Sequence, residues 1–218
     1  MQRSRDAYIR PVSASLPFVE PCRPRPVKRL PTGEAWLHEP KLDGWSLQAA
    51  KRGKELALYS RHGRPFTQRF PSVAEAIARV PCRSASLDGE LVLAGDGGFD
   101  FYGLRGAGRA DDLSFWAFDL LELDGKDLRD QPLISRKAHL EKLMRKTKSS
   151  HLGVVPTFVD GEALMIACMD KGLEGVVFKR RVHDAPYRPG SRPEWVKVKC
   201  PGWRAANRDR CEMFRRGA

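Results

Sequence analysis

The sequence predicts an α+β domain. Three observations carry that expectation. Short strand-like stretches recur, and two of them flank Lys51-Arg52-Gly53-Lys54 as a hairpin would. Segments with helical periodicity lie between the strands, near residues 73–80, 135–148 and 160–171. Trp195-Val196-Lys197-Val198-Lys199 alternates cleanly, which puts both lysines on one face of a strand and both valines on the other. The 218 residues allow one large domain or two small ones, and the 41% hydrophobic content suffices for a sizeable core.

Taken in order, residues 1–30 are rich in Pro and Arg and predict an extended arm or a wrapped strap. A basic arm on a nucleic acid backbone and a solubilising tail explain that composition equally well. Trp36-Leu37-His38-Glu39 reads as a short strand entering a turn at Lys41. Residues 45–50 and 55–60 are the hairpin strands, and Arg61-His62-Gly63-Arg64 is a basic loop that Phe66 and Phe70 anchor to the core. A short helix over 73–80 stops near Pro81. Ser86-Leu87-Asp88-Gly89-Glu90-Leu91-Val92-Leu93 is a strand led by an acidic turn. The Gly- and Arg-rich stretch up to Asp112 is a loop, and 113–121 is a strongly apolar strand closed by Leu123-Asp124-Gly125-Lys126. The helix over 135–148 carries Leu140, Leu143 and Met144, and its Lys and Arg residues read as a solvated face. A strand over 154–159 follows, then a helix capped by Asp160. Strands over 174–179 and 195–199 precede a short basic tail.

Lys and Arg number 39 against 27 Asp and Glu, and the formal charge of +12 favours a polyanionic partner. A membrane is a poorer partner, because neither a basic amphipathic helix nor an apolar run of spanning length is present. The N-terminus lacks an apolar signal core, so an intracellular protein is expected. The five cysteines are scattered without a C-x-x-C pair, which disfavours structural zinc and fits a reducing compartment. Cys168 falls in an apolar helical pattern and is expected in the core.

The chemistry centres on Glu39-Pro40-Lys41-Leu42-Asp43-Gly44. An isolated K-x-D-G is most often a polar turn. Here a glutamate in a strand, a second glutamate and three lysines follow downstream, and a lysine aimed into a cleft among such groups can be a covalent nucleophile. With a nucleoside triphosphate as electrophile, the neutral Lys41 amine would attack the α-phosphorus. Nearby cations lower a lysine pKa and carboxylates such as Asp43 raise it, so a divalent metal or Lys197 and Lys199 would have to supply the lowering. Glu90 and Glu174 offer oxygen ligands for Mg2+. Phe118 is the aromatic best placed for a base, although on its residue type alone ordinary core packing is the preferred explanation.

The motifs occur in the order of a known family. Lys41-Leu42-Asp43-Gly44 resembles a nucleophile motif. Tyr59-Ser60-Arg61-His62-Gly63 and Phe66-Thr67-Gln68-Arg69-Phe70-Pro71 resemble the block after it, and Ser86-Leu87-Asp88-Gly89-Glu90-Leu91 the third. Phe115-Trp116-Ala117-Phe118-Asp119-Leu120-Leu121 resembles a base-stacking strand, and Leu173-Glu174-Gly175-Val176-Val177-Phe178-Lys179 and Trp195-Val196-Lys197-Val198-Lys199 the last two motifs. The set resembles the adenylation domain of ATP-dependent DNA ligases, and within it the ligase module of bacterial end-joining proteins. The resemblance implies the nucleotidyltransferase fold of DNA ligases and mRNA capping enzymes, ATP-grasp-like, with antiparallel sheets and flanking helices. It places an adenylation domain over 31–201, between a basic arm over 1–30 and a basic tail over 202–218.

The resemblance also implies roles. Lys41 would receive AMP from ATP, with Lys197 and Lys199 assisting catalysis. Glu39 would face the adenine edge, Phe118 would stack on the ring, and Asp43, Arg61, Glu90, Lys179, Lys197 and Lys199 would complete the nucleotide site. Glu90 and Glu174 would hold Mg2+, or Mn2+ in its place. The implied function is nick sealing in duplex DNA through lysyl-AMP and a DNA-adenylate. The implied setting is a monomer in the bacterial cytoplasm, nucleoid-associated on DNA, with other end-joining or repair proteins as partners.

Two departures stand out. Ser46 occupies a position where the family carries arginine, and a hydroxyl does not replace a guanidinium on phosphate or sugar oxygens. Arg52, Arg61 and Arg69 are candidate substitutes. The family continues into an OB-fold domain, whereas residues 202–218 are too short for that barrel, so none is expected here. The alternative reading is therefore an ATP-binding or DNA-end-binding repair accessory module that does not complete sealing by itself. RNA ligation and mRNA guanylylation share the same lysine chemistry.

Overall fold

Pairing of the alternating stretches builds two open sheets. The computed structural model describes residues 16–95, 98–99, 113–181 and 185–207. The smaller sheet holds β1 (Cys22–Pro26), β2 (Trp36–Pro40), β10 (Gly175–Arg180) and β11 (Gly190–Lys199), in the order β1-β11-β10-β2. The larger runs β4 (Glu55–Ser60), β3 (Trp45–Arg52), β5 (Ser84–Gly95), β7 (Leu113–Leu123) and β8 (Lys126–Asp127), with β6 (Gly98–Phe99) on β5 and β9 (Leu152–Val154) on β7. Pairing is antiparallel except for β1 with β11 and β7 with β9. No closed barrel forms among the described residues.

Each sheet buries one face under helices. Helices α1 (Pro71–Ala78) and α2 (Leu133–Arg145) cover the larger sheet over a core that includes Leu47, Leu58, Phe70, Ile77, Phe115 and Leu140. Helix α3 (Gly161–Asp170) and the short α4 (Trp203–Ala206) cover the smaller sheet, where Met165, Cys168, Phe178, Val196 and Trp203 meet. None of the helices among the described residues is long and apolar enough to cross a membrane.

Local chemistry sets the ends of the elements. Pro71 occupies the first turn of α1, where its missing N–H costs nothing. Asp160 caps α3 by accepting from the Ala163 N–H at 2.9 Å. The strand expected over 154–159 is shorter than that and divided. β9 ends at Val154, Pro156 has no N–H to continue a ladder, and Phe158 instead exchanges backbone bonds with His38 of β2. The Gly- and Arg-rich stretch over 100–112 and Cys211 lie outside the described residues.

The end of the basic arm belongs to the fold. Leu16 packs with Ala50 and Ala57, the Val19 backbone exchanges two hydrogen bonds with the Gln48 amide, and residues 22–26 pair with β11 as β1. Part of the expected basic tail likewise forms α4, with Trp203 buried.

The solvated basic face expected on α2 holds for Lys142 and Arg145, which are exposed, and is corrected at Arg136 and Lys137. Leu133, Arg136, Lys137, Leu140, Leu143 and Met144 are all buried on one stripe. Arg136 is 0% exposed and grips Asp119 of β7 with two bonds of 2.8 Å. Its other nitrogen donates to the carbonyls of Gln131 and Ala185. A separate buried tie joins the two sheets. The Tyr187 hydroxyl donates to Asp88 Oδ2 of β5 at 2.6 Å and accepts from the Cys22 N–H of β1 at 3.0 Å. Burial pushes the Asp88 carboxyl up to about 7, and the Tyr187 hydrogen bond only partly offsets this.

Two outcomes are expected. Arg136→Met strands a buried carboxylate and should lower stability by about 3–5 kcal/mol in urea denaturation. Asp88 carries a folded pKa above its unfolded one, so its favourable contribution is complete below the unfolded value and is lost as pH rises through about 7. Thermal unfolding between pH 4 and 8 should therefore show a downward slope for the wild type that is shallower in Asp88→Asn; equal slopes would reject the assignment.

Candidate active site

Lys41 sits where the two sheets meet. Its N–H donates to the Gly175 carbonyl at 2.8 Å, tying the turn after β2 to the start of β10. Two glycines make this approach possible. A Cβ on Gly44 would lie 2.1 Å from the Leu91 carbonyl oxygen, and one on Gly175 would lie 2.1 Å from that of Val198. With hydrogen alone at position 44, β3 runs along β5 and the Gly44 N–H donates to Glu90 Oε1 at 3.2 Å.

At this end of the cleft Glu174 bridges two lysines. Its Oε2 is 2.5 Å from Lys41 Nζ and its Oε1 is 2.7 Å from Lys199 Nζ. Burial pushes the Glu174 carboxyl up, but the two lysines more than offset that and hold it below its usual value. Burial pulls the Lys41 ammonium down, yet Glu174, Glu90 and Asp43 together raise it above its ordinary value. The lowering expected from neighbouring lysines therefore does not prevail in this arrangement; the carboxylates are closer and more numerous. Burial raises Glu90 to about 7, with Lys41 and the Gly44 N–H only partly opposing it. Lys197 lies on the same face of β11 as Lys199, and burial followed by the charge of Lys41 pulls its ammonium down.

The cleft between the sheets encloses about 860 Å³ and is lined by residues of both. That volume lies within the ~300–1,000 Å³ typical of small-molecule sites. Glu39, Lys41, Asp43, Arg61, Glu90, Phe118, Glu174, Lys179, Lys197 and Lys199 all line it. Arg61 is exposed at its mouth. Ser46 stands opposite Glu90 in the β3–β5 register and also lines the cleft. Of its three candidate substitutes, Arg61 alone is on the lining. Arg52 is at the far end of β3, and the Arg69 guanidinium stacks 4.4 Å from the Trp45 ring centre.

The other end of the cleft is aromatic and charged. Phe118 lies on the half-buried face of β7, with Phe115 and Ala117 turned into the core. The Phe118 and Trp195 rings meet edge to face at 6.0 Å, and Lys179 Nζ lies 4.4 and 4.0 Å from their centres. Burial pulls the Lys179 ammonium down, with Glu39 opposing. Glu39 is 3% exposed and ion-paired on both oxygens, with Lys179 and with Lys137 of α2, each at 2.6 Å. Lys137 escaped the sequence reading. Its signal was present, because positions 136 and 137 interrupt the apolar stripe of α2 with charges.

Among the described residues, Trp195 Nε1 is a buried donor without a hydrogen-bond partner on a cleft-lining residue beside Phe118, and the Glu39 carboxylate, ion-paired on both oxygens, is an acceptor on another. A donor and an acceptor at this end of the cleft suit the edge of a nucleobase. No group of three or more His, Cys, Asp or Glu that could hold a metal forms among the described residues. Glu90 and Glu174 both line the cleft and both interact with Lys41, and their carboxylate oxygens are of the donor type that suits a hard cation such as Mg2+.

Comparison with known proteins agrees with this geometry. The family model described as ATP dependent DNA ligase domain matches residues 22–199. The multifunctional non-homologous end joining protein LigD of Pseudomonas aeruginosa is 35% identical over 179 residues, covering 80% of this chain and 21% of that protein. The ligase domain of Mycobacterium tuberculosis LigD superposes with a TM-score of 0.67 at 35% identity, over 75% of this chain and 54% of that one. A mycobacterial DNA ligase D complexed with ATP and MES superposes with a TM-score of 0.65 at 33% identity, over 80% and 60% of the two chains. The chain thus spans about a fifth of the Pseudomonas relative and more than half of each solved ligase. With the family model matching residues 22–199, and the shared fold carrying Lys41 at the junction of its two sheets, the chain belongs to the ATP-dependent DNA ligase domain family.

Proposed function

We propose that the chain carries AMP on Lys41 and uses it to seal nicks in duplex DNA. The observation that carries this reading is the position of Lys41, held at 2.5 Å by Glu174 at one end of a cleft whose other end presents Phe118 and Glu39. In the resting arrangement the ammonium is paired and unreactive. Attack requires that Lys41 leave Glu174 and lose a proton. The Nζ lone pair then forms a bond to the α-phosphorus of ATP, and the bond to pyrophosphate breaks.

Lys197 and Lys199 lie on the cleft-facing side of β11, where their charge offsets that of the phosphate oxygens in the transition state. Mg2+, or Mn2+ in its place, would supply further positive charge when held by Glu90 and Glu174. Phe118 stacks on adenine, and Lys179 and Arg61 complete the nucleotide site. In the second step an oxygen of a DNA 5′-phosphate attacks the AMP phosphorus and releases the lysine. In the third the 3′-hydroxyl attacks the 5′-phosphorus and AMP departs.

The formal charge of +12 supports a DNA backbone as partner. The similarity to a protein named for non-homologous end joining supports a role in break repair beside other repair proteins. On this reading the chain acts as a monomer on DNA in the bacterial cytoplasm.

Incubation with α-labelled ATP and Mg2+, followed by denaturing electrophoresis, tests the first step. The wild type should retain the label and Lys41→Ala should lose it completely. An unlabelled wild type, or a labelled Lys41→Ala, overturns the mechanism. A nicked duplex with a 5′-phosphate tests the remainder: sealed product supports the ligase reading, and label without sealing favours the accessory module.

A further inference from the structure

The aromatic end of the cleft holds a charge arrangement that the transfer chemistry at Lys41 does not use. One buried carboxylate, Glu39, lies between two buried ammonium groups, Lys137 on Oε1 and Lys179 on Oε2. Lys137 is 4% exposed and comes from α2 on the opposite sheet. It also donates to the Val155 carbonyl at 3.2 Å, and both lysines approach the Phe118 carbonyl, at 3.5 and 3.4 Å.

Two buried cations for one carboxylate is a poor device for stability. Well-packed apolar side chains of similar volume are often at least as stabilising as a buried ion pair. What such a pair does supply is fixed geometry. Lys179 lines the cleft, whereas Lys137 does not and lies behind the carboxylate. Lys137 therefore reaches a ligand only through Glu39 and Phe118.

The two ammonium groups fix the Glu39 carboxylate without exhausting it. Each oxygen faces one lysine at 2.6 Å, and an ionised carboxylate offers about four lone-pair sites, so acceptor capacity remains for a donor from the ligand. Without Lys137 the carboxylate would turn toward Lys179 alone, and a ligand donor would lose its direction.

We infer that Lys137 is a positioning residue for base selection: it pins Glu39 so that the carboxylate accepts from the exocyclic amino group of a purine nucleoside triphosphate. The inference rests on the proposed nucleotide site. It separates bases by one group. A purine with an amino group at the six position donates to the pinned carboxylate, and a purine lacking it forgoes that charge-assisted bond.

The test compares ATP with purine riboside triphosphate, which lacks the amino group. Rates of lysyl-nucleotide formation are measured against concentration for the wild type, Lys137→Met and Lys137→Arg. The wild type should prefer ATP. Lys137→Met should raise KM for ATP about 10- to 100-fold, the scale on which small misplacements act. It should leave kcat, and KM for the analogue, near the wild-type values, so that the preference collapses. Lys137→Arg, which keeps the charge, should restore most of it. An unchanged ATP preference in Lys137→Met, whether both nucleotides weaken alike or neither does, overturns the inference and makes Lys137 a packing residue.

Should the wild type form no adduct with either nucleotide, the Lys41 reading falls. Equilibrium binding of the same two nucleotides then decides the Lys137 inference separately, by the same change in ratio. Thermal unfolding checks the variants. If Lys137→Met does not fold, Lys137→Gln is measured in its place, and failure of both to fold assigns Lys137 to stability and overturns the inference.

Discussion

The ion pair between Glu39 and Lys137 joins the two halves of the domain. Glu39 belongs to β2 of the smaller sheet, and Lys137 to the helix that covers the larger one. A buried charge must find a partner, because its desolvation costs several kcal/mol. That requirement fixes the separation of the sheets at one end of the cleft. Tyr187 and Asp88 impose a similar tie between β1 and β5, and Lys41 with Glu174 closes the far end. The cleft is thus framed by ionic and hydrogen-bonded contacts, while each sheet keeps its own apolar core under its own helices.

This framing explains how a lysine can be both buried and quiescent. Around Lys41 three carboxylates outweigh the cost of burial, and the amine stays protonated. A lysine held this way is protected from unwanted electrophiles. The same glutamate that restrains Lys41 also restrains Lys199. On the proposed chemistry, a polyanion entering the cleft would compete for both cations at once and so couple binding to release of Lys41. Charge exchange, more than any large movement of the fold, would be the switch between resting and reactive arrangements.

Much of the fold was legible because it is written in local patterns. Alternation in residues 195–199 placed Lys197 and Lys199 on one face opposite Val196 and Val198, and β11 has that arrangement. Asp160 announced its helix through cap chemistry, and Cys168 its burial through periodicity. Patterns failed where a distant partner overrides the local preference. Arg136 and Lys137 look like solvent-facing residues until Asp119 and Glu39 are brought to them across the fold. Residues 22–26 contain two prolines and two arginines and resemble a tail, yet they complete an edge of the sheet beside β11, where proline is tolerated.

The order of the candidate groups is legible along the chain: a lysine turn, an acidic strand, an aromatic strand, a second glutamate and a lysine pair. Side-chain type and strand register carry that information along the chain. Only the tertiary structure decided which charges meet. It gave Glu174 to both Lys41 and Lys199, enclosed Glu39 between two ammonium groups, put Arg61 on the cleft and Arg69 on Trp45. The cause is that electrostatic pairing depends on distances of a few ångströms between residues that stand far apart in the chain, Lys41 and Glu174 or Glu39 and Lys179 among them. The Lys41 turn is readable in one dimension; the carboxylate cage that restrains its lysine exists only in three.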